Sequence, residues 1–407
     1  MRKTVWIVNQ YASTPEYGFA GRHYYLGREL AKLGYNVYLI VSAGHHLLRS
    51  KPELISEFKL EKEADRFTVV WTSMPHYDQA HSKGRAIGWF LFSWRIRKLA
   101  KVIPESPDAV VCSSPSLLSF FGAKSLARKF GARLVFDVRD IWPMTLIEIG
   151  GYSAKHPFVR FLQRVEDKAY QDSDWVISNL KNSVEHMVSR GMKREKFSWV
   201  PNGFSMDEVR MNIPLNDRAD GQLPQNKFLI GYTGTLGFAN ALNTLINAAD
   251  RLRDHPDIAF ILVGNGKEKP ELQELVDGKR LGNVYFVDSI PKVEVPSMLS
   301  RFNACYIGWL NDPLYRFGIG ANKLPEYLYS GKPIIHAFSG ACDPVGEANA
   351  GLQIAAEDDK QLADAVLKLY RSTPEERAVM GANGRKLALD QYEYRQLAEK
   401  LSKILFA

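Results

Sequence analysis

The sequence predicts an α/β protein built from two doubly wound, parallel-sheet halves. Three observations carry this expectation. Short apolar runs alternate with segments of helical period along the 407 residues. The alternation breaks once, at a polar, proline-containing stretch over residues 212–225, and then restarts. In both halves, glycine-containing loops follow the carboxyl ends of strands, the edge at which open α/β sheets bind ligands. The length agrees, being too great for one typical core.

In the first half, residues 5–9 (VWIVN) read as a buried strand. A loop over 10–21, rich in Gly, Pro and Ser and containing Gly18, leads to a helix over 22–33 that stops at Gly34. The strand 37–41 completes a βαβ unit. The loop YGFAGRH lacks the GxGxxG spacing, so a dehydrogenase reading has little support. A strand over 67–73 precedes the segment 83–103, KGRAIGWFLFSWRIRKLAKVI. This segment mixes Trp89, Phe90, Phe92 and Trp94 with Arg95, Arg97, Lys98 and Lys101. Two readings of it stand. It is a helix at a membrane interface, with aromatic side chains among headgroups and cations toward anionic lipid, or a helix packed on the sheet with snorkelling basic ends. Strands over 108–113, 133–138 and 174–178 follow, separated by helices over 117–130 and 158–170.

The motif VPNGF at 200–204 is turn chemistry and marks a hinge. The second half opens with a strand over 228–233 running into Gly234-Thr235-Leu236-Gly237, then a helix over 242–253. The strand 258–263 enters Gly264-Asn265-Gly266, and shorter strands follow at 284–287 and 304–307. Next comes FGIGANKLPEYLYSGKP at 317–333, then a strand over 333–337 and the C-terminal helices. The expected domains are 1–203, 204–380, and a segment 381–407 returning toward the first.

The stretch 317–333 reads as a loosened loop and one short helix. Gly318 and Gly320 allow a tight turn with exposed amides, and Asn322 is the expected N-cap. Lys323 adds a positive charge in the first turn, where helix amides meet anions. Glu326 sits one turn on, and Gly331 and Pro333 end the helix. A cation, free amides and a carboxylate in one turn suit a ligand with a phosphate at one end and hydroxyls at the other, as in a nucleotide-sugar. Taken alone, the same residues also read as a plain loop-to-helix connection with solvated charges.

Composition narrows the classes. With 45% hydrophobic and 24% charged residues there is no disorder signature. Cys112, Cys305 and Cys342 fit neither a metal spacing nor a disulfide framework, and read as small core residues in a reducing compartment. The apolar run at the start is too short for a signal peptide, and no window reaches the ~20 apolar residues of a spanning helix. The expectation is a cytoplasmic protein, soluble or peripheral. A net charge of +8 favours anionic partners. Phosphate ligands and membrane surfaces rank above nucleic acid, for which no recognition signature is present. His45, His46, His76 and His81 show no metal spacing and read mostly as surface residues.

Six blocks in order resemble glycosyltransferase family 4, the retaining, nucleotide-sugar-dependent group with the GT-B fold. They are GRELAKLGYNVYLI, VPNGF, YTGTLGFANALNTLINAA, FILVGNGKEKPELQEL, NVYFVDSIPKVEVPSML and NKLPEYLYSGKPII. The resemblance implies two Rossmann-like domains facing across a cleft. FDVRDIWP and TPEYGFAGRHYYL resemble the branch that builds bacterial surface polysaccharides such as O-antigen and capsule. Members of that branch often transfer N-acetylamino or deoxy sugars, N-acetylfucosamine among them. Of the family's two glutamates seven residues apart, Glu326 matches the second, which holds the ribose, while the first falls on Gly318. The loop positions at which the family grips the diphosphate with Arg and Lys carry Thr235 and Asn240. Lys323 is then the expected diphosphate cation, the only one nearby in the matched segments. Where the family often has a histidine facing the sugar, this chain has Arg139 followed by Asp140, which either orient sugar or acceptor or form an ion pair at the strand end.

The resemblance thus implies Lys323, Asp140 and Arg139 as catalytic residues. It implies Gly18, Gly234, Thr235, Gly264, Gly266, Gly320, Asn322, Lys323 and Glu326 as donor-binding residues. The implied reaction is a front-side displacement of hexosyl or N-acetylhexosaminyl type, in which the leaving phosphate takes the acceptor proton. Amides at Gly18 and around 320–323 would share the phosphate charge. No DxD motif is recognised, and neither metal nor cofactor is expected. The expected partners are a UDP-linked sugar donor, a polyprenyl-diphosphate-linked saccharide acceptor and anionic lipid of the cytoplasmic leaflet. Two alternatives stay open. One is a non-hydrolysing UDP-sugar epimerase; the other is a catalytically degenerate partner subunit, to which Gly318 lends weight.

Overall fold

The computed structural model describes residues 2–76 and 83–407. The chain divides into two compact units, Met1–Asn202 with Tyr394–Ala407, and Gly203–Glu393. Fourteen strands are numbered along the described chain. The first unit contains β1 (Thr4–Val8), β2 (Asn36–Ser42), β3 (Phe58–Ala64), β4 (Phe67–Thr72), β5 (Ala109–Ser113), β6 (Arg133–Val138), β7 (Trp175–Ser178) and β8 (Phe197–Trp199). They form one sheet in the order β3-β4-β2-β1-β5-β6-β7-β8. The second unit contains β9 (Phe228–Thr233), β10 (Ile258–Val263), β11 (Val284–Val287), β12 (Ala304–Gly308), β13 (Ile334–Ala337) and β14 (Gly351–Ile354). Their order is β11-β10-β9-β12-β13-β14, all parallel.

The central strands are buried at every position, TVWIV in β1 and IAFILV in β10. Helices on both faces require this of a parallel sheet. The first unit departs from the expected all-parallel sheet at one edge, where β3 runs antiparallel to β4. Its sequence, FKLEKEA, is charged at four of seven positions, and none of the seven is fully buried. A charged edge of this kind discourages pairing with other chains, and it carries none of the apolar run that marks the inner strands.

Helix Arg22–Lys32 buries Tyr24, Tyr25, Leu26, Leu30 and Ala31 against the sheet. The C-terminal helix Tyr394–Leu405 covers it, burying Leu397, Ala398, Leu401, Ile404 and Leu405 at helical spacing. Tyr394 stacks on Tyr25 at 4.9 Å and Phe406 on Tyr35 at 4.8 Å. The return to the first unit begins at Tyr394 rather than at residue 381. The preceding helix, Pro374–Gln391, starts from a Thr373–Glu376 capping box and packs on helix Leu324–Ser330 of the second unit.

Helix Lys83–Ile96 splits its apolar residues between two faces. Trp89, Phe92 and Ile96 are buried, whereas Ile87, Phe90 and Trp94 are exposed. Among the described residues no helix is long and apolar enough to cross a membrane. Cys112 and Cys305 are buried and free, as small core residues would be, while Cys342 is half-buried.

Candidate functional site

In the second unit, the two glycine loops expected from the sequence lie side by side. Gly234 follows β9 and Gly264 follows β10, both with φ +139°. A Cβ on Gly264 would stand 2.0 Å from the Gly234 carbonyl oxygen, so the loops pass backbone to backbone and admit no side chain. A Cβ on Gly266 would stand 2.1 Å from the Leu236 carbonyl oxygen, and the Leu236 N–H donates to Asn265 O at 2.9 Å.

Lys323 reaches over this floor, its Cε 3.1 Å from where a Cβ of Gly234 would be. Its ammonium donates to Tyr232 Oη at 3.0 Å and to Asn240 Oδ1 at 2.8 Å. Both partners are oriented by Thr235, whose carbonyl accepts from Tyr232 Oη at 2.6 Å and from Asn240 Nδ2 at 3.1 Å. The amide of Asn240 spent on that carbonyl leaves its oxygen aimed at Lys323. The cation also sits 4.6 Å from the Tyr232 ring centre. Burial without a carboxylate partner pushes Lys323 down to about 8.

Three expectations change here. Asn322 is exposed and is not the N-cap. That position falls to Lys323, with no side-chain cap, and Pro325 removes a donor from the first turn. Glu326 is engaged by Lys292, from the segment before helix Val295–Arg301. Lys323 is therefore not the only nearby cation, since Lys292 belongs to the block NVYFVDSIPKVEVPSML. Gly318, where the first family glutamate falls, ends the turn Pro313–Phe317 with φ +96°, and its N–H donates to Tyr315 O at 3.0 Å. Gly320 follows, half-buried.

A relay missed from the sequence anchors the chain leading to Gly318. Trp309 Nε1–H donates to Nε2 of the fully buried His336 at 3.1 Å. Nε2 then accepts, so Nδ1 carries the proton and donates to Asp343 Oδ1 at 2.6 Å. Asp343 in turn caps the N–H groups of Val345 and Gly346. Tyr315 packs edge-on against Trp309 at 5.5 Å.

In the first unit, the ligand-side ends of the strands hold a buried ionic network that sequence reading did not single out. The carboxylate of Asp137, in β6, meets Arg22 Nη2 at 3.2 Å, His23 Nε2 at 2.7 Å and Ser113 Oγ at 3.1 Å. Arg22 also donates to the carbonyls of Val200 and Pro201, fixing the VPNGF turn. Asn9 Oδ1 accepts from the Tyr11 N–H at 2.8 Å, so its amide faces His23 Nδ1, also at 2.8 Å. His23 therefore presents Nε2–H to Asp137. Burial holds it neutral, pushed down to about 4. Its signal in the sequence was an acidic residue inside the apolar run RLVFDV.

Arg139 and Asp140 follow β6. The Arg139 N–H donates to Ser114 Oγ at 2.8 Å, and its Nε is buried without a partner among the described residues. Asp140 is exposed. No ion pair joins the two among the described residues, so the strand-end ion pair is not what holds them. Gly18 is corrected: its N–H donates to Thr14 O at 3.0 Å and is spent within its own loop, while its carbonyl accepts from Arg49. His45 is corrected too, being fully buried against Tyr11, with burial pushing it down to about 3. His76 is exposed, and His81 lies outside the described residues. Tyr11 Oη accepts from Trp89 Nε1 at 2.6 Å. Arg85 stands over the rings of Tyr11, Trp89 and Trp142 at 5.6, 5.4 and 5.5 Å.

A DxD triplet does occur, at Asp172-Ser173-Asp174. Asp172 pairs with Lys124, and Asp174 accepts from the Leu134 N–H at 2.8 Å, at the amino end of β7. These carboxylates are committed away from the ligand-side ends. Among the described residues no three or more His, Cys, Asp or Glu side chains are grouped to hold a metal ion.

Comparison with known proteins matches both halves of the chain. Residues 18–203 match the family "Glycosyl transferase 4-like domain", and residues 215–387 match "Glycosyl transferases group 1". A relative in Escherichia coli (strain K12), WcaI, is 26% identical over 206 residues, and its name ascribes to it a glycosyl transferase role in colanic acid biosynthesis. That match covers 49% of this chain and 50% of WcaI, so the chain spans about half the length of this curated relative. Sucrose-phosphate synthase from Thermosynechococcus elongatus has a similar structure, with a TM-score of 0.74 at 17% identity over 99% of this chain and 98% of its own. Anabaena HepE, solved in complex with UDP, gives 0.68 at 16% identity over 99% of each chain. At these identities the likeness is one of fold. Its two family matches, taken with the two α/β units, place the chain in the group 1 glycosyltransferase family, with a glycosyl transferase 4-like first domain.

Proposed function

We propose that the protein is a retaining glycosyltransferase that moves a sugar, of N-acetylamino or deoxy type, from a UDP-linked donor to a polyprenyl-diphosphate-linked saccharide. The pathway class is assembly of bacterial surface polysaccharide at the cytoplasmic face of the inner membrane. The observation that carries the reading is the Lys323 ammonium, held by Tyr232 and Asn240 above the bare backbone of Gly234 and Gly264. A cation short of a counter-charge and a floor without side chains are what a diphosphate needs. Gly266, Thr235 and Gly320 border this floor in the proposal, and Glu326, steadied by Lys292, takes the ribose hydroxyls.

In the proposed step the acceptor hydroxyl attacks the anomeric carbon on the face from which UDP departs. The carbon–oxygen bond to the diphosphate breaks, and the departing phosphate oxygen takes the hydroxyl proton. Lys323 stabilises the charge that builds on that phosphate, and Arg139 and Asp140 orient sugar or acceptor. No metal is invoked, because the chain supplies the cation.

A donor screen tests this, read by the mass of the extended lipid-linked acceptor. One UDP-sugar is expected to give product, equally with and without EDTA, and Lys323→Ala is expected to lose about 10²–10³-fold in kcat. Wild-type turnover in the Lys323→Ala variant would overturn the site. Epimer formed from the donor with no acceptor present would overturn the reaction.

A further inference from the structure

We infer that the first unit carries a membrane-docking face assembled from three helices and suited to an anionic lipid bilayer. Helix Lys83–Ile96 contributes Ile87, Phe90 and Trp94, spaced three and four residues apart and so on one stripe, with exposures of 65%, 53% and 56%. Single exposed apolar residues are ordinary, but an aligned set marks an interaction surface. Phe90 stacks on Phe161 of helix Pro157–Asp172, ring centres 6.1 Å apart. Beside this pair runs a groove lined by Trp94, Leu118 and Phe121, with Arg97 and Arg128 at its rim. Phe121 and Arg128 come from helix Ser119–Phe130.

Charge selects the occupant. Arg97 and Arg128 are exposed, as are Arg160 and Arg164 on either side of Phe161. None of the four has a carboxylate within ion-pairing distance among the described residues. Lys124, which also lines the groove, is paired with Asp172, as Lys98 is with Glu57 at 2.8 Å and Arg194 with Glu185 at 2.6 Å. An apolar ridge ringed by uncompensated cations repels a second copy of itself in a two-fold contact. It complements acyl chains beneath phosphate headgroups, with Trp94 at headgroup depth. The face is narrower than the sequence segment suggested. Trp89 and Phe92 are buried, and Arg95 is spent on the Ser73 carbonyl and on Glu57.

The test is co-sedimentation of the full chain with vesicles of phosphatidylglycerol and phosphatidylcholine in about a 1:3 ratio, and with phosphatidylcholine alone. It needs no donor or acceptor, so it stands or falls apart from the glycosyl-transfer reading. Wild type is expected to partition onto the anionic vesicles, less so as salt rises. Arg97→Glu with Arg128→Glu is expected to lower partitioning by about fivefold or more per cation. Phe90→Ser with Trp94→Ser is expected to lower it as well, with an unchanged unfolding midpoint. Should the aromatic variant fold poorly, the charge variant decides alone, since both arginines are exposed. Equal sedimentation of wild type and the charge variant, or equal binding to neutral vesicles, would overturn the inference. So would a dimer in light scattering that the same substitutions dissolve.

Discussion

Lys323 keeps a charge that its surroundings disfavour, and that gives it a readable signature. Its value, pushed down to about 8, means that the free protein holds the ammonium below that pH and loses it above. If the protonated form grips the departing phosphate, kcat/KM is high at neutral pH and falls through one ionisation near pH 8, because that ratio reports groups of the free enzyme. Lys323→Arg keeps its charge throughout this range. It is expected to be slower, since a planar guanidinium does not fit between Tyr232 and Asn240 as an ammonium does, and to lack the alkaline fall. An Arg variant with the same alkaline limb would assign the limb to another group. The notion of a cation near a helix start was legible in NKLPEY. Its depressed value was not, because it comes from burial, and the fold brings Tyr232 and Asn240 onto the ammonium from some 80–90 positions earlier in the chain.

Elements carry the parts of the site that no single residue could announce. The glycine loops after β9 and β10 were legible, since a Gly at the carboxyl end of an apolar run has few other uses. The Trp309–His336–Asp343 relay was not. A histidine in a short apolar strand reads as core, and only the fold brings Trp309 to its Nε2. Trp309→Phe keeps an aromatic side chain but removes the N–H, which leaves a buried acceptor unsatisfied and costs about 1–3 kcal/mol. Because the relay holds the chain before Gly318, UDP affinity should fall with stability, as urea unfolding and calorimetric titration would show. Unchanged values of both would mean that the loop is held by Tyr315 packing alone. The N-cap falls at Lys323 rather than Asn322, with Pro325 at the second helical position. The strand β3 went unseen because its pattern is that of an exposed edge, without the apolar run that sequence reading relies on.

At the scale of the whole chain, two similar α/β units hold their charged groups in different ways. Strand alternation and the restart after residue 225 made the duplication legible, since both follow from burying two faces of a parallel sheet. A division of labour between them, as proposed, is harder to see, because it would depend on which charges each unit leaves uncompensated. In the first unit the buried carboxylate of Asp137 absorbs Arg22 and His23, and Arg139 keeps an unpartnered Nε. In the second, Lys323 has no carboxylate partner among the described residues, and Glu326 is paired with Lys292. If the second unit holds the nucleotide, Lys323→Ala and Glu326→Ala weaken UDP binding in the full chain. Arg139→Ala and Asp140→Ala leave UDP binding as it is and lower transfer, by raising acceptor KM or lowering kcat. Glu326→Ala has a finer signature, because a carboxylate holding the ribose prefers UDP to 2′-deoxy-UDP and its removal erases that preference. Calorimetric titration of the four variants with both nucleotides separates these outcomes. Loss of UDP affinity in Asp140→Ala as large as in Lys323→Ala would end the division, since a residue placed for sugar or acceptor has no diphosphate to hold.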